Sequence, residues 1–141
     1  MRNLLKIILI STFLFYCILG SLTCKDDITN FDISSIVFPD HNVSYQNHIA
    51  PIFQHVCAIP GGCHAGENPA GERPLSLESY DDLTLRRDLL DYGNPPNSSL
   101  VRVLKGTLAG IEPMPLNRPK LNDNQINGFI TWIREGARGD N

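Results

Sequence analysis

The sequence predicts a mostly α, single-domain protein with long loops, and three features lead to that expectation. Apolar residues recur at helical spacing in residues 48–56 and again after Asn122. Proline and glycine cluster between those segments, most densely over residues 93–97 and 111–121. At 141 residues, with 42% hydrophobic and 19% charged residues, the chain has the composition of one globular domain.

The N-terminus stands apart from that domain. Arg2 and Lys6 precede an apolar run over residues 7–19, followed by small or polar residues and then Cys24. A charged start, an apolar middle and a small-residue exit describe a secretory signal over residues 1–23. Lys25, Asp26 and Asp27 behind Cys24 suit a lipoprotein whose lipidated N-terminus is Cys24, although Leu22 lies one place late for that motif and Thr23 is larger than usual. The other reading is an uncleaved anchor over residues 4–22, near the ~20 residues that span a bilayer. Both place the domain outside the cytoplasm, on the periplasmic or cell-surface side of a bacterial membrane. The whole chain carries −3 and loses two cations with residues 1–23, which leaves the remainder at about −5. Nucleic acid is an unfavourable partner for so acidic a chain.

Residues 24–43 show no sustained period and read as a tether with one short strand near residues 33–38. The domain is expected over residues 44–138. Its first helix, residues 48–56, places Ile49, Ile52, Phe53 and Val56 on one face, with Pro51 tolerated in the first turn. This helix leads directly to Cys57. A second helix is expected over residues 80–85, with room to resume through Leu90. Gly93-Asn94-Pro95-Pro96-Asn97 breaks the chain, after which Ser98 or Ser99 can cap a third helix over residues 100–105 that Gly106 stops. Pro113, Pro115 and Pro119 then force an extended loop. In the last helix Asn122 and Gln125 form a capping box, Ile126, Phe129, Ile130 and Ile133 line one face, and Gly136 ends it. Trp132 lies off that stripe, available for a second contact surface. A domain so rich in loops has a thin core, and small exported domains of this kind commonly need a disulfide, a metal or a cofactor at their centre.

The chemistry concentrates in Cys57-Ala58-Ile59-Pro60-Gly61-Gly62-Cys63-His64. Covalent haem attachment needs two thiols for the two vinyl groups and a histidine directly after the second thiol, so that its imidazole reaches the iron. The usual spacing has two residues between the cysteines; here there are five. Pro60, Gly61 and Gly62 suit a loop that bulges away between the two anchors. Met114 is the one methionine besides Met1 and sits in the proline-held loop, where a thioether can be fixed over an open haem face. The same residues permit other readings. Cys57 and Cys63 can form a disulfide, the default for paired cysteines in an exported protein. A zinc site from Cys57, Cys63, His64 and His55 fits no common spacing, and a Cys–His catalytic pair lacks an orienting third residue.

These residues together resemble the small c-type cytochrome domains of the planctomycete-type cytochrome c group. The resemblance runs over roughly residues 43–138. It rests on Val43-Ser44-Tyr45, Ile49-Ala50-Pro51-Ile52-Phe53, the cysteine motif, Gly93-Asn94-Pro95, Ser98-Ser99-Leu100 and Met114-Pro115. It ends on Leu121, Ile126, Ile130, Trp132, Ile133 and Glu135-Gly136-Ala137. It implies a class I cytochrome c-like fold with one covalent haem c: thioethers at Cys57 and Cys63, His64 as proximal ligand and Met114 as distal ligand. The function it implies is extracytoplasmic electron transfer with His/Met ligation, carried out for a redox partner protein the sequence does not name. Such a protein is an electron carrier and not an enzyme. Arg118 and Lys120, close to Met114, are candidates to neutralise a haem propionate. Two alternatives stand beside this reading: a haem-free lipoprotein interaction module with a Cys57–Cys63 disulfide, and a haem-based sensor in which Met114 dissociates.

Overall fold

The computed structural model describes residues 32–66, 75–86 and 88–139. The signal over residues 1–23 and Cys24 lie outside them. The described residues are helical or irregular, with no strand among them, and none of their helices is long and apolar enough to cross a membrane.

Helix α1 spans residues 45–57 and is wider than a regular helix at both ends. Tyr45–Ile49 and Phe53–Cys57 are π-helical turns, joined by the α-turn Ala50–Ile52. The Ala50 amide donates to Tyr45 O, and the Ala58 amide to Phe53 O, each five residues back. The helix begins three residues earlier than the sequence predicts, because Ser44 caps it by accepting from the Asn47 amide. Pro51 therefore lies inside the helix, where it has no N–H for the ordinary bond and its ring crowds the carbonyl four residues back. Wide turns accommodate that conflict. Ile49, Ile52 and Phe53 are buried as expected, while Val56 turns partly outward.

Helix α2, Tyr80–Thr84, starts with a full Ser79/Asp82 capping box and does not resume towards Leu90. Helix α3, Ser99–Lys105, ends at the left-handed Gly106 as predicted. Its cap differs from expectation: Ser98 makes no side-chain bond to the helix, and its Oγ accepts from the Asp91 amide at 2.8 Å. Helix α4, Asp123–Arg134, has the predicted Asn122/Gln125 capping box and the predicted apolar face. Trp132 does take a second contact: it is buried against Tyr45, ring centroids 5.9 Å apart, and its Nε1 donates to Arg138 O.

The described part of the segment expected as a tether, residues 32–43, makes contacts with α4. In place of a strand, residues 33–38 form a 3₁₀ turn, Ile33–Ser35, followed by extended chain. Phe38 and Val43 are core residues, and the Phe38 ring lies 5.9 Å from that of Phe129. Gln125 is buried and donates from Nε2 to Ile33 O, so one side chain both caps α4 and anchors this segment. Asn124 clamps Phe38 from both sides, Oδ1 accepting from its amide at 2.8 Å and Nδ2 donating to its carbonyl at 3.0 Å. Asn124→Ala is expected to lose about 1–2 kcal/mol, since two backbone groups lose their partners in a half-buried place. Denaturant unfolding measures this; a change below ~0.5 kcal/mol would show that the clamp contributes little.

Candidate functional site

The Cys57–His64 stretch folds as a loop off the end of α1. Cys57 is the last residue of the helix, partly buried and packed on the core. The turn that follows is tight, with the Gly62 amide donating to Ile59 O at 2.7 Å. A Cβ at Gly62 would meet the Ile59 side chain and carbonyl, both at 2.8 Å, so this turn has no room for a larger residue. Cys63 emerges exposed and His64 half-buried. Cys57 and Cys63 are not joined to one another by a disulfide in this structure.

His64 is oriented by backbone. Its Nδ1 lies 2.9 Å from Leu75 O, and the Leu77 amide donates to His64 O at 2.9 Å. A carbonyl can only accept, so Nδ1 must carry the proton. The other ring nitrogen, Nε2, is then the one placed to ligate a metal. A histidine that ligates iron or zinc is typically held in this way, its second nitrogen donating to a carbonyl or carboxylate. Farther along, Gly66 donates to the Glu78 carboxylate, which ties residues 64–66 to residues 75–78 at a second point.

Met114 comes to the same core from the other side of the sequence. Cys57, Ala65, Leu75 and Met114 are all partly buried and packed on one hydrophobic cluster. The Met114 amide donates to Val103 O on α3, the Met114–Pro115 peptide is cis, and Lys120 Nζ donates to the carbonyls of Pro113 and Pro115. The loop also reaches Cys57 electrostatically. Burial pushes the Cys57 thiol up to about 12, and the Arg118 guanidinium pulls it the other way by less. Burial thus favours the thiol form of Cys57, the opposite of what activates a cysteine nucleophile.

The remaining histidines serve elsewhere. His48 Nδ1 accepts from the Ser44 amide at 3.0 Å and its ring packs 5.4 Å from Phe38. His41 and His55 are exposed. Among the described residues no three His, Cys, Asp or Glu side chains gather into a metal-binding group, so the four donors of the zinc reading are not assembled. A haem site needs no such cluster, because the porphyrin supplies four of the six ligands and the protein only two.

Sequence reasoning missed two contributors. Leu75 acts through its carbonyl, which no side-chain pattern reveals. Lys120, one of two candidates beside Arg118 to meet a propionate, donates its ammonium to the loop that carries Met114. No family model, curated protein or solved structure matches this chain.

Proposed function

We propose that the protein is a monohaem c-type cytochrome that transfers electrons outside the cytoplasm, held at a membrane through lipidated Cys24. The observation that carries this reading is the His64 ring. It follows Cys63 directly in the motif, and its bond to Leu75 O leaves Nε2 as the nitrogen placed to ligate iron. Cys57 and Cys63 would tether the haem, His64 and Met114 would hold its iron, and the fold is read as class I cytochrome c-like. Bound there, haem c supplies an iron that accepts and releases one electron. The chain's own part would be to keep His64 and Met114 in place through the change of charge. Leu75 holds the imidazole, and the loop pinned at Val103 and Lys120 holds the thioether. His64 and Met114, both engaged with the iron, would leave a small-molecule substrate no place there, so the protein is read as a carrier between partner proteins and not as an enzyme.

The full chain, made alongside a haem-attachment system, is expected to show sharp visible bands on reduction. Its haem should survive acid extraction, with a mass that corresponds to two thioethers. Haem retained through Cys63 alone would mean that the five-residue insert puts Cys57 out of reach, and no retained haem would remove the reading. Carbon monoxide binding by the unaltered reduced protein would favour a sensor over a carrier.

A further inference from the structure

Lys120 grips the Met114 loop on both sides of Met114. Its ammonium donates to Pro113 O at 2.7 Å and to Pro115 O at 2.6 Å. Those carbonyls belong to the residues before and after Met114, whose own amide is bonded to Val103 O at 3.0 Å. The backbone at this residue is therefore held at three points, once by α3 and twice by one cation. Lysine side chains are usually solvated and pay rotamer entropy to be fixed. Pro113 is half-buried and Pro115 buried, so the two carbonyls differ in their access to water, yet one ammonium serves both. Two short charge-assisted bonds from a single donor fix the spacing of these carbonyls and with it the shape of the loop around Met114.

We infer that Lys120 is the positioning residue that keeps Met114 in ligating position, an inference that rests on Met114 being the sixth ligand. A ligand borne on a loop binds in proportion to the fraction of time the loop spends in the competent arrangement. Lys120 raises that fraction, and does so from outside the iron's coordination sphere.

The test compares the haem-loaded full chain with Lys120→Leu, which keeps an apolar stem without donors, and Lys120→Arg, which keeps a cationic donor. In Lys120→Leu the near-infrared sulfur-to-iron band should weaken, the ferrous protein should begin to bind carbon monoxide, and the reduction potential should fall. Amide exchange at Met114, read on the same chain, should quicken about tenfold. Lys120→Arg should recover the band and most of the protection, and the thermal midpoint should move little in either variant. A Lys120→Leu protein with unaltered band, potential and exchange overturns the role. So does one whose defects come with a large drop in thermal midpoint and are not rescued by arginine, since that is general destabilisation. A wild-type protein that carries haem but lacks the sulfur band overturns the reading of Met114 itself. The exchange measurement would still show in that case whether Lys120 holds the loop, so the two failures are distinguishable.

Discussion

Met114→Ala should leave a protein that keeps its haem and loses much of its reduction potential. Scarcity comes first: beyond residues 1–23 the chain has no other methionine, so a thioether ligand can come only from here. Placement agrees, since Met114 is partly buried on the same core as Cys57 and its loop is pinned to α3 and by Lys120. The substitution touches none of Cys57, Cys63 and His64, so covalent attachment and the proximal ligand should survive. Loss of the thioether removes a ligand that favours ferrous iron. The potential should drop by on the order of 0.1–0.3 V, part of the ~0.8 V range that axial ligands span. The oxidised protein should lose its sulfur-to-iron band and the reduced protein should bind carbon monoxide. An unchanged potential and spectrum would sink the assignment and transfer the sixth position to another group. His48 and His55 on α1 are the groups to test next, by replacing each in turn.

What could be read in the sequence was what local rules determine. The capping box at Asn122 and Gln125, the apolar face of α4 and the stop at Gly106 each depend on residues within a few positions of one another, and each is present. The start of α1 was not legible, because Pro51 forces wide turns and the 3.6-residue period fails there. Residues 32–43 read as a tether for a different reason. They carry no period of their own, and the bonds that hold them come from Asn124 and Gln125, 86 and 92 positions away. The site divides in the same manner. Cys57, Cys63, His64 and Met114 announce themselves by residue type and spacing. The Leu75 carbonyl, eleven residues from His64, is a backbone group that every residue possesses. The charge of Lys120 pointed to an anion, whereas its partners are two neutral carbonyls whose place only the folded loop defines.

Gly128→Ala tests the most consequential of those long-range contacts. Alanine is the better helix former by roughly 1 kcal/mol, and at an ordinary position inside α4 it would stabilise. Here its Cβ would overlap Cδ1 and Cγ of Phe38 and fall 2.6 Å from its Cβ, so the ring cannot stay where it is. Nor can the residue move away freely, because Asn124 holds its backbone at both N–H and C=O. The ring must leave its place against Phe129, and a buried phenylalanine contributes about 3–5 kcal/mol on the scale of Phe→Ala changes. Overpacking typically costs about 1–3 kcal/mol, and partial loss of the ring carries the expected total to about 2–4 kcal/mol, net of the gain in propensity. Against the ~5–15 kcal/mol that stabilises a typical domain, that is a large fraction. The cause is separable from any general intolerance of α4 by a double-mutant cycle with Phe38→Ala. Once the ring is gone, Gly128→Ala should become neutral or stabilise by up to ~1 kcal/mol, the helix propensity alone. Denaturant unfolding of the four proteins should therefore give a coupling of about 2 kcal/mol or more between residues 38 and 128. Equal effects of Gly128→Ala in both backgrounds would show that the chain before residue 44 does not pack on α4, and the domain would then begin where the sequence alone places it.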